Sequence, residues 1–291
     1  MKSIFENAST SAKTIQLIGL TLFSFLLFSL VSMLITGGDF SSLTSLRLAQ
    51  LLQSVGLFVL PPLVLAYVWS STPSEWLHTH RRPELPVSLL VVLIMWSAIP
   101  AINLLGSLNQ QIQLPESLAG LEASLKAMEA EAEALTKRLL TMNSVGEFLF
   151  TIGLVALIPA VGEELFFRGV IQKLIHTKWG PHAAVWLTAL IFSAIHFQFY
   201  GFVPRMMLGA LMGYLLVWSG SLWYPIVAHF VNNATVVFFY YADQRGWIHF
   251  DLENFGGRET AIAGYISIVA VSLLLWVYRR NLMNRHNLQG R

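Results

Sequence analysis

The sequence predicts an all-α polytopic membrane protein with about eight transmembrane helices and a polar helical segment between the third and the fourth. Of its 291 residues, 55% are hydrophobic and 12% are charged, whereas soluble domains carry about 25% charged residues. The mean hydropathy is +0.61. Long windows contain no Asp, Glu, Lys or Arg, and about 20 apolar residues are enough for a helix to cross a bilayer.

These apolar windows set the predicted spans. They cover residues 14–36, 48–70, 86–107, 148–162, 183–203, 206–218, 221–242 and 261–278, and the fourth continues past two glutamates. The window 206–218 is short, so we expect a tilted or broken helix there, or one covered by its neighbours. The first window is longer than the apolar core of a signal peptide and no small-residue cleavage site follows it, so we expect it to be retained.

Positive charge predicts the orientation. Lys and Arg precede the first window and follow the second, fourth and eighth: Lys2, Lys13, Arg81, Arg82, Lys173, Lys178, Arg279, Arg280 and Arg285. With eight spans these residues share one side of the membrane, and cytoplasmic loops carry the excess of Lys and Arg. We therefore expect a multi-pass cell-membrane protein with both termini in the cytoplasm.

A polar segment at 114–142 places apolar residues at alternating spacings of three and four, which is the pattern of a helix that packs on another helix. A lid or docking helix outside the bilayer is the alternative. Ser144 and Glu147 then form a capping-box pattern, which predicts that a new helix begins there. The chain divides into N-terminal transmembrane helices (1–113), an extramembrane helical segment (114–143) and a transmembrane core (144–291).

Composition excludes several functions. The chain has no cysteine, which excludes disulfides, thiolate metal sites and cysteine nucleophiles. The formal charge of +2 is too small to indicate a nucleic-acid partner, and the apolar windows make the lipid bilayer an expected partner.

The strongest functional indication is a charged cluster inside the fourth window. Glu163, Glu164 and Arg168 lie in an apolar stretch, where each ionisable group costs about 2–3 kcal/mol in hydrocarbon. Glu164 and Arg168 are spaced i and i+4, so they share a helix face and can pair. Glu163 points about 100° away and is free to act as a general base on water. A purely structural ion pair that locks two helices is the alternative.

Two further windows contribute polar groups. His196 lies in the fifth window, and His229 and Asn233 lie at i and i+4 in the seventh, with Asn232 partly alongside. Each of these taken alone is more typical of polar contacts between membrane helices than of a site. Together with the charged cluster they can hold a water, remove its proton and stabilise an oxyanion, which favours hydrolysis by an activated water.

The order of these motifs resembles that of a known family. Glu163-Glu164-x-x-x-Arg168, Phe192-x-x-x-His196 and His229-x-x-x-Asn233 are similar to the three motifs of the CPBP family, which includes the type II CAAX prenyl proteases and bacterial bacteriocin-processing or immunity proteins. The resemblance covers about residues 145–240. It implies that Glu163 activates water and that Glu164 and Arg168 position it or the substrate. It also implies that His196, His229 and Asn233 orient water and stabilise the oxyanion, and that Phe192 packs.

A metal remains an open alternative. Glu163, His196 and His229 supply the three ligands that a catalytic zinc takes, although the helical His-Glu-x-x-His motif is absent. Zinc would leave Glu164 as the base although Arg168 is its natural partner, so a metal-free glutamate mechanism is favoured, partly through the family resemblance. The sequence thus predicts an intramembrane endopeptidase whose partner is a membrane-bound substrate, a membrane-associated or lipid-modified peptide or protein. The alternatives are a non-catalytic membrane immunity or interaction protein and a transporter.

Overall fold

A computed structural model describes residues 3–252 and 254–289, with the backbone alone over 284–289. Throughout this part the chain is helical and contains no strand, so the predicted all-α class is confirmed. Lys2 and the side chain of Arg285, two of the charges that predict the orientation, lie outside the described residues. The predicted domain boundaries and the cytoplasmic placement of the termini stay predictions.

The helices follow one another with short connections. In the described part they are α1 (Thr10–Thr36), α2 (Leu43–Ser54), α3 (Leu60–Trp69), α4 (Pro73–Trp76), α5 (Leu85–Asn109), α6 (Ala119–Leu139), α7 (Val145–Thr151), α8 (Ile158–Glu164), α9 (Gln172–Ala194), α10 (Phe202–Ser219), α11 (Trp223–Gln244) and α12 (Ala261–Gln289). π-helical turns at Val55–Val59, Ile152–Leu157 and Leu165–Ile171 join α2 to α3, α7 to α8 and α8 to α9 without a break.

Six helical stretches of the described chain are long and apolar enough to cross a membrane. They are Thr10–Thr36, Leu43–Trp69, Leu85–Asn109, Val145–Ala194, Phe199–Ser219 and Arg258–Met283. The predicted number was about eight. The difference has two causes. The first is that Val145–Ala194 contains two predicted windows, which are divided at Gly180, where a φ of 77° and a ψ of 176° interrupt the helix. The second cause is α11, which is not among the six stretches because its His and Asn side chains reduce its hydropathy.

The fourth stretch positions the charged cluster. Glu163 and Glu164 end α8, which lies between two π-helical turns, and Pro159 stands at its start, where a missing backbone N–H is tolerated. π turns inside α-helices are rare and occur frequently at functional sites. The irregular helix thus brings both glutamates into the centre of the bundle, where α11 and the turn between α2 and α3 pack against α8.

Close packing at Gly162 fixes this helix against its neighbour. A Cβ at this position would stand 2.8 Å from Val59 Cγ2 and 3.1 Å from Phe58 Cβ. The absence of a side chain therefore lets α8 approach the π turn of the second stretch directly before the two glutamates. A similar approach occurs at Gly209 of α10, where a Cβ would lie 3.2 Å from Ala189 on α9.

The predicted polar segment forms α6, but its apolar seam does not pack as expected. Leu118, Leu121, Met128 and Leu135 are 40% to 50% exposed. Burial is restored only at the end of the helix, where Leu140 and Met142 pack against α11 residues. The expected contact along the seam is therefore wrong for the single described chain, because α6 contacts the bundle through polar groups, Arg138 with the Ser41 carbonyl and Glu129 with the Tyr200 N–H. Half of the predicted capping box is present, since the Ser144 hydroxyl accepts from the Glu147 N–H at 3.1 Å, whereas the Glu147 carboxylate accepts from the Asn143 N–H at 3.0 Å, one residue before the N-cap.

We expect Gly162→Ala to lower the stability of the protein by about 1–3 kcal/mol, because the new methyl group overpacks a rigid contact between two helices. The measurement is thermal unfolding in detergent. Gly153→Ala is the matched control on the same helix, because a Cβ there meets nothing within 4 Å. Equal unfolding temperatures for the two variants would contradict the close contact.

Candidate active site

A buried network joins the charged cluster to α11. Glu164 Oε1 accepts hydrogen bonds from Arg168 Nη1 at 2.8 Å and from His229 Nδ1 at 2.8 Å. Arg168 Nη2 donates to the Gly209 carbonyl of α10 at 2.9 Å. The side chains of Glu164 and Arg168 are both 0% exposed. The network therefore connects the fourth helical stretch with α10 and α11, and it satisfies most of the polar atoms that it removes from solvent.

Glu163 has a different environment from its neighbour. Its side chain is 15% exposed, and its Oε2 lies 3.9 Å from His229 Nε2. Because His229 Nδ1 donates its proton to Glu164, the neutral ring presents an Nε2 lone pair on the side of Glu163. A separation of 3.9 Å exceeds a direct hydrogen bond and is compatible with one bridging water. One glutamate is held by an ion pair and the other is accessible, as the sequence predicts.

The Phe192 ring is the common wall of the site. It lies 5.1 Å from the His196 ring, 6.2 Å from the His229 ring and 4.8 Å from the Arg168 guanidinium, measured to ring centroids. The edge-to-face contacts orient the two imidazoles and favour a fixed arrangement. This agrees with the packing role that the family resemblance implies for Phe192.

His196 stands just beyond α9, not within a membrane helix as the fifth window predicts. The helix ends at Ala194, and His196 Nδ1 donates to the Phe192 carbonyl at 2.8 Å, which leaves Nε2 available. The window continues through apolar residues of the following loop, so hydropathy alone conceals the end of the helix. Among the described residues no direct hydrogen bond joins His196 to Glu163 or His229.

Asn233 lies one turn after His229 on α11 and contacts the irregular fourth helix. Its Nδ2 donates to the Val155 carbonyl at 3.2 Å, in the π turn before α8, and its Oδ1 accepts from Asn232 Nδ2 at 3.1 Å. Since Nδ2 carries two hydrogens, one donor remains for a ligand. The carboxamide thus both fixes α11 against α8 and can donate a hydrogen bond.

Arg205 is a site residue that the sequence reasoning missed. It lies near the start of α10, within range for its charge to interact with Glu163, and donates to Gln198 Oε1 at 2.5 Å. Together with Glu129 and Tyr240 it lines a cavity of about 580 Å³ between α6 and the bundle. The only signal in the sequence is a lone arginine between two apolar windows, which indicates a boundary equally well.

The alternative zinc set is not assembled as three converging ligands in the described residues. Zinc ligands lie about 2.0–2.2 Å from the ion, which requires all donors to converge on one point. His196 donates its Nδ1 proton to a carbonyl and keeps Nε2 available, and Glu163 Oε2 lies 3.9 Å from His229 Nε2, so neither contact decides between a zinc ion and a bridging water. Within the described residues no group of three His, Cys, Asp or Glu side chains is placed to hold a metal ion.

Comparison with known proteins identifies a family for this part of the chain. Residues 145–235 match the family described as type II CAAX prenyl endopeptidase, Rce1-like, and this range contains all six predicted site residues. The resemblance indicated by the three motifs is thereby confirmed for this segment, which matches a family of proteases.

One curated relative is the uncharacterized protein YpbD of Bacillus subtilis (strain 168). It is 30% identical over 104 residues, which are 34% of this chain and 49% of that protein. The chain thus spans about half the length of this relative. No solved structure matches the chain.

We expect Arg168→Ala to destabilise the protein by about 3–5 kcal/mol, because it leaves the buried Glu164 carboxylate without its cation. Thermal unfolding in detergent measures the effect. Lys126→Ala removes a comparable i,i+4 pair with Glu122 on the exposed surface of α6 and should leave the unfolding temperature almost unchanged. If Arg168→Ala unfolds at the parent temperature, the network does not stabilise the bundle.

Proposed function

We propose that this protein is an intramembrane endopeptidase that hydrolyses a peptide bond with a water activated by Glu163. The observation that carries the proposal is the difference between two adjacent glutamates. Glu164 is buried in an ion pair with Arg168, whereas Glu163 is partly exposed and faces an imidazole nitrogen at 3.9 Å. The match of residues 145–235 to a protease family supports the same reaction class.

The proposed reaction begins with a water between Glu163 and His229. The Glu163 carboxylate removes a proton from this water while the water oxygen attacks the carbonyl carbon of the scissile bond. A tetrahedral oxyanion forms, its C–N bond breaks, and the proton passes from Glu163 to the leaving nitrogen. One water is consumed, a carboxylic acid and an amine are released, and Glu163 regains its charge.

Glu164 and Arg168 have a positioning role in this scheme. Because Glu164 accepts the His229 Nδ1 proton at 2.8 Å, it selects the tautomer in which Nε2 can accept a hydrogen bond from the water. Arg168 holds Glu164 through a hydrogen bond of 2.8 Å and fixes the pair to α10 through the Gly209 carbonyl. Preorganised groups of this kind lower the barrier because they need no rearrangement during the reaction.

The oxyanion requires donors near the scissile carbonyl. The second hydrogen of Asn233 Nδ2 is the first candidate. His196 is the weaker one, because its Nε2 donates only when the ring is doubly protonated and burial lowers the pKa of His196 to about 4. Arg205 adds a positive charge near Glu163 and lines the 580 Å³ cavity. Glu163 does not itself line this cavity, and Arg205 connects the two. We assign the cavity as the approach path of a membrane-associated or lipid-modified peptide, without prenyl specificity.

We expect Glu163→Gln to reduce peptide hydrolysis by about 10²–10⁴-fold, because an amide cannot accept the proton of the attacking water. Turnover of peptides by the purified protein in detergent or nanodiscs is measured by mass spectrometry, with thermal unfolding as the check on folding. Glu147→Gln, on the same helix, is the control, since glutamine preserves a capping box. Unchanged turnover in Glu163→Gln would remove this residue as the base and favour the non-catalytic alternative.

Metal removal tests the water-activation scheme. We expect peptidase activity to survive chelator treatment and dialysis, because the proposed base and its partners act without an ion. The measurement pairs turnover with elemental analysis of the same sample. Loss of activity that added zinc restores would replace the metal-free scheme.

A further inference from the structure

A second cavity lies behind the catalytic network, at the end of the bundle where α1 begins and α10 ends. Its volume is about 140 Å³, which corresponds to four or five waters at about 30 Å³ each and accommodates a group of five heavy atoms. The described residues that line it include no carboxylate; they are His78, Arg168, Gln172, Lys173, His176, Leu216, Val217 and Gly220. His176 is exposed, so the cavity is reached from the protein surface.

The cavity offers hydrogen-bond donors that the protein leaves unused. Arg168 is fully buried, and its Nε finds no acceptor among the described residues, although Nη1 and Nη2 are both engaged. Lys173 Nζ donates to the Trp76 carbonyl, and its ammonium group retains two further hydrogens. An acceptor with a negative charge would satisfy both side chains.

The charged side chain at the rim of the cavity is also positive. Gly220, which lines the cavity, has no side chain, and Arg81 Nη1 lies 2.8 Å from the point where a Cβ would stand. The neighbouring His78 has its pKa lowered to about 4, first by burial and then by the positive charges of Lys173, His80 and Arg81. The local potential is therefore positive, and an anion would relieve it.

The same end of the bundle carries five tryptophans, each of which lies close to a Lys or Arg side chain. Lys and Arg groups lie 4.5–5.9 Å from tryptophan ring centroids in five pairs: Lys13 with Trp69, Lys173 with Trp76, Lys178 with Trp179, Arg279 with Trp218 and Arg280 with Trp276. Tryptophans mark the level of the lipid headgroups, and an excess of Lys and Arg marks the cytoplasmic leaflet. The cavity thus lies at the depth of lipid phosphates.

We propose that this cavity binds the phosphate of an anionic phospholipid, with Lys173 Nζ as the donor, Arg81 at the rim and the buried Arg168 beneath, whose unpaired Nε reaches the phosphate after a shift of the side chain. Basic pockets between transmembrane helices on the cytoplasmic side are a known type of site for anionic lipid headgroups. The bound phosphate contacts Arg168, which also holds Glu164. The lipid therefore supports the catalytic network from behind, although its binding does not depend on hydrolysis.

Titration of the full-length protein in detergent tests the site. Short-chain phosphatidylglycerol, short-chain phosphatidylcholine and inorganic phosphate are the probes, and native mass spectrometry measures the bound fraction. We expect phosphatidylglycerol to bind most tightly. Lys173→Gln and Arg81→Gln should each weaken it about fivefold, because one basic residue near the headgroup contributes about a factor of five.

Matched variants keep the test decisive. Lys178→Gln, at the same end of the bundle but outside the cavity lining, should bind like the parent protein, and so should Glu163→Gln. Arg81 has an exposed side chain, so its variant carries the test if Lys173→Gln fails to fold. Equal affinity for the two lipids, an equal loss in Lys178→Gln, or inorganic phosphate binding as tightly as phosphatidylglycerol would each overturn the lipid site.

Discussion

The structure depends on keeping one ion pair in an apolar interior. Glu164 and Arg168 have no exposed surface, and a charge stranded at such a position would cost several kcal/mol. The pair is tolerated because each member has a further partner on another rod, His229 on α11 and the Gly209 carbonyl on α10. Because both partners are required, the packing of α10 and α11 against the fourth helical stretch is fixed. The orientation of the His229 ring, and through it the environment of Glu163, follows from that requirement.

Two consecutive residues of one type thereby acquire separate tasks. Successive positions on a helix point about 100° apart, so Glu163 cannot share the ion pair of Glu164. It faces instead the opposite nitrogen of the same imidazole, with part of its side chain exposed. The histidine separates the two carboxylates, because it donates to one and presents a lone pair to the other. This polarity supports a base at Glu163, whereas a simple structural pair would need only one of the two acids.

The extent to which the sequence predicts this arrangement depends on the range of each interaction. The Glu164–Arg168 pair and the Ser144 cap are local, at spacings of four and three, and both occur as predicted. Hydropathy identifies the rods but not their ends, so His196 is placed on a helix that in fact stops at Ala194. Arg205 is missed because the acids near it, Glu129 and Glu163, come from distant segments. The apolar spacing of α6 predicts that one face of this helix packs on another helix, but it does not identify that helix. In the described chain much of this face stays exposed.

The π turn at Ile152–Leu157 makes the fourth helix sensitive to its residue count. Loss of a single residue from that turn would leave an apolar span of almost the same length and hydropathy. It would nevertheless rotate everything on the C-terminal side by about 100° relative to the start of the helix. Glu163 and Glu164 would then both point away from α11. Homologous chains that keep the same chemistry are therefore expected to vary here by substitution and not by insertion or deletion.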